Sequence, residues 1–177
     1  MFNNISRQPL YDVDAVQPMR DELVAVGINE LLSPAAVEEA ILVNDDKTKL
    51  VIINSVCGCA AGAARPGVSL ALQNSVIPDN LYTVFAGQER DAVEKLRSLI
   101  TGHAPSSPSM AIFKNGKVEF FLPRYEIEGY SAEQIASRLT AVFNEKCSAQ
   151  GPSVSREAYE KVVHAKACGS KIELFQG

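Results

Sequence analysis

The sequence predicts an α/β fold in which a central mixed sheet carries helices on both faces. Three observations favour this class: a short, β-branched apolar run that suits a buried strand, amphipathic helical segments that alternate with further strands, and a hairpin near the end of the domain. The 177 residues, 46% of them hydrophobic, suffice for one packed core with an appendage. We expect an N-terminal arm over residues 1–16, a single domain over 17–147 and a C-terminal extension over 148–177.

The first elements follow from turn and cap signals. Pro9 and scattered polar residues predict a loosely ordered arm, and Gly27 separates a short helix at 19–26 from an edge strand at 28–32. Ser33 followed by proline predicts a helix start, because the hydroxyl caps free amides and proline suits the first helical position. That helix should end near residues 44–46.

The centre and the end of the domain show the same alternation. The later predicted elements, in chain order, are a buried strand at 50–55, a helix to about residue 75 that Pro66 kinks or breaks, a strand at 81–86, an amphipathic helix at 88–100, a strand at 110–113, a strand at 118–122 and a final core helix. Asn115-Gly116 predicts the tight hairpin between the last two strands. Ser131 and Gln134 predict a capping box at the start of the final helix.

Charge and composition exclude several classes of function. A net charge of −4 and an isoelectric point near 5.3 argue against a nucleic-acid partner. No apolar run reaches about 18 residues, and the N-terminus lacks a secretory pattern, so we expect no membrane partner and a cytoplasmic location. Four cysteines in such a chain favour reduced, redox-active or metal-binding thiols over a structural disulfide framework.

Two thiols, Cys57 and Cys59, stand where the strand at 50–55 gives way to a helix. Unsatisfied amides and the helix dipole favour an anion at this position, and the thiolate is the nucleophilic and metal-binding form of cysteine. Cys57 lies nearer the cap, whereas Cys59 falls within the first turn. We therefore predict that Cys57 is the attacking thiol.

Other interpretations of these residues stay open. The pair could be two buried structural thiols or half of a metal site; zinc needs four ligands, and Cys147 and Cys168 could supply two, but neither stands in a CxxC or CxH pattern. The metal interpretation is therefore weak, and we predict no metal site. Arg65 could stabilise a thiolate, but we interpret it as a solvated arginine.

Neither His103 nor His164 is given a role.

Three motifs carry a resemblance to a known family. The turn NSVCGCAAG, the loop APSSPSM and the stretch PRYEIEG resemble the bacilliredoxins, which are small proteins of thioredoxin-like fold, over about residues 17–147. The resemblance implies a cis-proline at Pro108 that faces the active thiol, so that Ser107 and Pro108 would contact the substrate.

The resemblance also implies a reaction. Members of the family remove bacillithiol from S-bacillithiolated proteins, so the expected partners are S-thiolated proteins and a low-molecular-weight thiol, and no cofactor is expected. Cys57 would attack the mixed disulfide and take up the thiol, and Cys59 or a second thiol would release it. Disulfide exchange or isomerisation on other substrates is a further implied activity.

The chain departs from thioredoxin itself in two respects. Its motif is CxC instead of CxxC, and the strand that leads into the motif has only Asn54 and Ser55 as polar groups. A buried carboxylate that could assist proton transfer is therefore not visible in the sequence. The alternative function is a binding module of the same fold, in which the CGC turn holds a metal or a partner thiol without turnover.

The residues beyond Cys147 lie outside the resemblance. Residues 148–152 predict a linker, and residues 155–167 predict an amphipathic helix. The extension could pack on the domain, form contacts in a homodimer or lie disordered, and Cys168 is either an extra resolving thiol or a free surface cysteine.

Overall fold

The computed structural model describes residues 6–177, except for the side chain of Ser170. The helices are α1 (Val13–Val24), α2 (Pro34–Ile41), α3 (Arg65–Ala71), α4 (Arg90–Leu99), α5 (Ala132–Lys146) and α6 (Arg156–Glu160). The strands are β1 (Asn29–Glu30), β2 (Thr48–Asn54), β3 (Val76–Ile77), β4 (Asn80–Phe85), β5 (Ser109–Lys114), β6 (Lys117–Leu122) and β7 (Ala149–Gln150). A π-helical segment, Ala60–Ala64, precedes α3, and short 3₁₀ turns occupy Arg124–Glu126 and Gly169–Lys171.

Among the described residues, five strands form a mixed sheet in the order β1-β4-β2-β5-β6. β1, β4 and β2 run parallel, whereas β5 is antiparallel to β2 and forms a hairpin with β6. This is the thioredoxin-like arrangement that the sequence predicted. No helix among the described residues has both the length and the apolar character needed to cross a membrane.

β2 is buried along its whole length, and its side chains alternate between two cores. Leu50 and Ile52 pack with α3 and α5, whereas Val51 and Ile53 pack with α2 and α4. The continuous apolar run therefore reflects a central strand that is covered on both faces. Its carboxyl end carries the two thiols.

The local signals predicted most elements. The Asn115-Gly116 turn joins β5 to β6 with positive φ at both residues, and the Ser131 and Gln134 side chains form the capping box of α5. The predicted strand at 28–32 is an edge strand of two residues, because its register against β4 spans only Asn29 and Glu30.

The first helix differs from the prediction. α1 begins at Val13, so residues 13–16 of the predicted arm are helical, and the part of that arm at residues 1–5 lies outside the described residues. The side chain of Asp12 accepts hydrogen bonds from the amides of Asp14 and Ala15, which caps the earlier start. The helix continues through Pro18 because Val16, Met19 and Leu23 are buried along one face.

The helix after the thiols also differs from the prediction, which extended it to about residue 75. The π-helical segment comes first, Pro66 follows in the first turn of α3, and α3 ends at Ala71. A proline in the first turn loses no intrahelical hydrogen bond that α3 itself needs. Gly67 permits the close packing of α3 on α5, because a Cβ at this position would lie 2.8 Å from the side chain of Ile135.

The C-terminal extension packs on the domain. The predicted linker contains β7, which pairs with β3, and the predicted helix at 155–167 is helical only over Arg156–Glu160. Further along, the backbone around Leu174 forms a β-bridge with Tyr11 of the segment before α1. The chain end therefore returns to the side of the domain where α1 begins.

Candidate active site

The turn after β2 places Cys57 directly before the first helical residues, Gly58 and Cys59. The amides of Ala60 and Ala61 donate to the carbonyl of Cys57 at 3.1 and 3.2 Å, and the Ala60 amide also lies 3.4 Å from Cys57 Sγ. Cys59 lies in the first turn, with its sulfur 2.6 Å from Cys57 Sγ. Both thiols therefore lie at the strand-to-helix turn, with Cys57 before the helical residues and Cys59 among them.

The surroundings of Cys57 favour its thiolate. Partial burial by itself would raise the pKa of Cys57, but hydrogen bonds from Cys59, Ser55 and the Ala60 amide, together with the positive charge of Arg124, outweigh burial and hold the pKa below its ordinary value. The Ser55 hydroxyl donates to Cys57 Sγ at 3.2 Å.

The neighbouring thiol has the opposite tendency. Burial is the largest cause that raises the pKa of Cys59. The hydrogen bond with the Cys57 sulfur and the negative charge on that sulfur add to it, and the pKa of Cys59 reaches about 11. At neutral pH Cys59 is therefore protonated and can donate to the Cys57 sulfur. The surroundings favour the anionic form of Cys57 and the protonated form of Cys59.

A buried polar network lies behind the turn. Arg65 is fully buried, so its interpretation as a solvated arginine is wrong. Its guanidinium donates to the Ser55 carbonyl at 3.0 Å and to Asn54 Oδ1 at 3.2 Å, and the Ser55 amide donates to the same Asn54 oxygen at 2.9 Å. Arg65 thus holds the strand end that carries Ser55, the residue that contacts Cys57.

The counter-charge of Arg65 comes from the other side of the network. Glu22 of α1 is fully buried and accepts from Arg65 Nε at 2.8 Å. The C-terminal extension completes the pair: His164 Nδ1 lies 2.7 Å from Glu22 Oε1, the Ala165 amide donates to Glu22 Oε2 at 3.1 Å, and the Ala165 carbonyl accepts from Arg65 at 2.9 Å. A buried ion pair needs such additional hydrogen bonds to satisfy its remaining atoms.

The prediction from the sequence missed Glu22. A signal was present, since Glu22 lies three residues after Met19 on the buried face of α1, where a carboxylate is unusual without a partner. His164, which had no assigned role, belongs to this network, whereas His103 lies in the loop before β5, where its ring packs against Phe121.

The loop before β5 supplies the opposite wall of the site. The Ser107–Pro108 peptide is cis, as the resemblance implied. Ser107 lines a cleft of about 290 Å³ together with Cys57, Arg97 and Arg124, and Pro108 beside it is buried. Ser106 Oγ accepts from the Arg124 amide at 3.2 Å, which ties the loop to the turn that carries this arginine.

The two remaining cysteines lie in different places. Cys147 follows α5 and hydrogen-bonds Thr48 at the opposite end of β2 from Cys57, roughly 20 Å away at 3.3 Å per strand residue. Cys168 precedes Gly169, whose Cβ, if present, would lie 3.2 Å from Val56 Cγ2. The structure therefore brings the Cys168 segment, but not Cys147, close to the CGC turn.

Over residues 6–177 no group of three or more His, Cys, Asp or Glu side chains is arranged to hold a metal ion.

Comparisons with known proteins identify the family. The family described as disulphide isomerase matches residues 11–147. The chain is 48% identical over 137 residues to bacilliredoxin BH1716 of Halalkalibacterium halodurans, covering 77% of this chain and 94% of that one. The chain belongs to the bacilliredoxin family. A bacilliredoxin of Cytophaga hutchinsonii is 46% identical over 136 residues, covering 77% of this chain and 99% of its own.

Two solved structures were also found in the comparison. The thioredoxin of Malassezia sympodialis is 17% identical, with a TM-score of 0.43, and covers 68% of this chain and 90% of its own. The thioredoxin-like domain of Arabidopsis NCP is 19% identical, with a TM-score of 0.47, and covers 85% of this chain and 92% of its own. The family assignment and the topology make this bacilliredoxin a thiol–disulfide oxidoreductase in general class.

Proposed function

We propose that this bacilliredoxin removes a low-molecular-weight thiol from S-thiolated proteins in the cytoplasm, with bacillithiol as the expected thiol. The single observation that carries the proposal is the asymmetry of the CGC pair: the pKa of Cys57 lies below its ordinary value, while Cys59 stays protonated beside it. A nucleophilic thiolate in an open cleft is what attack on a mixed disulfide requires.

In the first step the Cys57 thiolate attacks the low-molecular-weight sulfur of the mixed disulfide. The Cys57–thiol bond forms as the old disulfide bond breaks, and the protein sulfur leaves as a thiolate that takes a proton from water. Arg124 stabilises the negative charge on Cys57 before attack, and the backbone around Ser107 and Pro108 offers hydrogen-bonding groups to the bound disulfide. The protein substrate is thereby reduced, and Cys57 is oxidised to a mixed disulfide.

In the second step another thiolate attacks Cys57 and releases the bound thiol. Cys59 is the candidate within the chain, since its sulfur lies beside Cys57, and its proton must leave first. Loss of the Cys57 negative charge in the first step removes one of the interactions that raise the pKa of Cys59. The product is a Cys57–Cys59 disulfide, which an external thiol must reduce; a direct attack by that external thiol on Cys57 is the other route. The same exchange chemistry would support disulfide isomerisation.

The test is intact-mass analysis of the reduced chain and its variants after mixing with a bacillithiolated protein. We expect Cys59→Ser to accumulate one bacillithiol adduct, Cys57→Ser to remove none from the substrate, and the matched control Cys147→Ser to behave as the parent. Transfer by Cys57→Ser at the parent rate would contradict the assigned attack. If the parent leaves the substrate unchanged, the proposed function is wrong.

A further inference from the structure

The cleft beside Cys57 contains more positive charge than the proposed chemistry uses. Arg97 of α4 and Arg124 both line it, and none of its described lining residues is acidic. The chain as a whole carries a net charge of −4, so this local excess is not a property of the general surface. A concave site with one sign of charge attracts a ligand of the opposite sign.

Arg97 is the arginine whose charge nothing in the described part of the chain offsets. Its Nε is buried and donates to no hydrogen-bond acceptor among the described residues, and none of their ion pairs includes it. Burial accordingly lowers the pKa of its guanidinium from the ordinary value, although the group stays charged at any physiological pH. A buried donor without a partner is costly to folding, which is a reason to expect a ligand there.

Arg124 has a carboxylate neighbour, but only a weak one. Its guanidinium lies 3.5 Å from Glu128, and both side chains are substantially exposed. Arg124 is therefore available to a second anion besides the Cys57 thiolate. Arg7, in the segment before α1, differs because Asp91 and Glu94 already neutralise it.

The cleft continues past Arg97. A second cavity of about 600 Å³ shares Leu10, Gly87 and Arg97 with the cleft, so Arg97 stands where the two cavities adjoin. A thiol whose sulfur reaches Cys57 would thus extend its remaining groups along Arg97. Guanidinium groups bind carboxylates through paired hydrogen bonds, which makes a carboxylate the fitting group.

We propose that Arg97, together with Arg124, forms a carboxylate-binding subsite that holds the low-molecular-weight thiol of the mixed disulfide while Cys57 attacks it. This inference rests on the proposed function and specifies its substrate class as thiols that carry a carboxylate. Arg97 is the specificity residue, because it lines the cleft but, unlike Arg124, is not among the groups that lower the pKa of Cys57. Arg124 serves both the bound anion and the Cys57 thiolate.

The test uses a reporter protein with one cysteine, prepared as two different mixed disulfides. One carries mercaptosuccinate, which is a dicarboxylate, and the other carries thioglycerol, which is neutral. The rate of reporter release is measured by intact mass for the parent chain, Arg97→Gln, Arg97→Lys and the control Lys95→Gln. The control removes one positive charge from the same helix, and Lys95 lines neither of the two cavities. The symmetric disulfide of mercaptosuccinate, which contains no protein, is the second substrate.

We expect Arg97→Gln to slow attack on the mercaptosuccinate reporter about tenfold, since one charge-assisted hydrogen bond is lost, and to change attack on the thioglycerol reporter less than about twofold. Arg97→Lys should retain part of the preference, and Lys95→Gln should match the parent. If Arg97→Gln also attacks the symmetric mercaptosuccinate disulfide more slowly than the parent chain does, the recognised carboxylate belongs to the small thiol.

Three results would overturn the subsite. Equal slowing of both reporters means that Arg97 acts on the turn and not on an anion. Slowing of the reporter reactions without an effect on the symmetric disulfide places the recognised carboxylate on the protein substrate. If the Arg97 variants react at the parent rate with every disulfide, Arg97 has no part in binding. Failure of the parent chain with every disulfide would instead overturn the proposed function, so the two failures are distinguishable.

Discussion

The two ends of β2 carry cysteines with opposite properties. Cys57 follows the carboxyl end of the strand and Cys147 lies against its first residue, and both are partly buried. Burial raises the pKa of Cys147, and the hydrogen bond with Thr48 and the charge of Lys146 do not offset that effect. At Cys57 the same penalty is outweighed by several donors and a nearby arginine.

The difference shows that burial alone does not decide how reactive a thiol is. What differs is the number of hydrogen-bond donors, from side chains and backbone together, that lie close to the sulfur. Those donors exist at the Cys57 end because a helix begins there and because a buried network fixes the strand end. The Cys147 end has neither.

The largest effect should come from breaking the network behind Cys57. Glu22→Gln leaves the buried Arg65 charge without its counter-ion, and removal of one partner of such a pair costs about 3–5 kcal/mol of unfolding free energy. The matched change at the other end of β2, Asp79→Asn, weakens hydrogen bonds to Thr48 and should cost about 1 kcal/mol. Urea unfolding measures both, and similar losses for the two variants would show that the network is no more important than an ordinary strand end.

A smaller effect should appear in thiol reactivity. We expect iodoacetamide at pH 7 to modify Cys57 at least about tenfold faster than it modifies Cys147, because the rate of alkylation follows the thiolate fraction. The rate at Cys57 should rise with pH around a midpoint below that of an ordinary thiol, while Cys59 should react fully only near pH 11. Peptide mapping after timed alkylation separates the sites. Equal rates at Cys57 and Cys147 would remove the contrast between the two ends.

The smallest effect should follow from removal of single donors. Ser55→Ala deletes the hydroxyl that donates to Cys57 Sγ and should raise the pKa of Cys57, which lowers its alkylation rate at neutral pH by less than about tenfold. Thr48→Val should raise the pKa of Cys147 and leave Cys57 unchanged. Thiolate absorbance against pH measures both. A Cys57 pKa unaltered in Ser55→Ala would assign its lowering to the Ala60 amide, Cys59 and Arg124.

Much of the fold was predictable because its signals are local. The capping box at Ser131, the hairpin at Asn115-Gly116 and the apolar run of β2 depend on neighbouring residues, and each appears where it was predicted. The arrangement of the two thiols at a strand-to-helix turn was predictable for the same reason.

The errors concern segments whose structure depends on distant partners. The predicted helix at 155–167 ends early because the Ala165 amide donates to Glu22 of α1 and not to a carbonyl of its own helix. The burial of Arg65 was missed because its counter-ion lies 43 positions away in the chain. A contact pattern of this kind leaves no periodic signal in a single sequence.

The sequence by itself determined the class of this bacilliredoxin, the order of its central elements and the position of its two thiols, because propensity, periodicity and caps act over a few residues. Only the tertiary structure decided which charges meet. The Glu22–Arg65 pair and the cleft shared by Arg97 and Arg124 join residues from separate elements. Their electrostatic effects depend on burial and on distances across the fold, which packing alone sets.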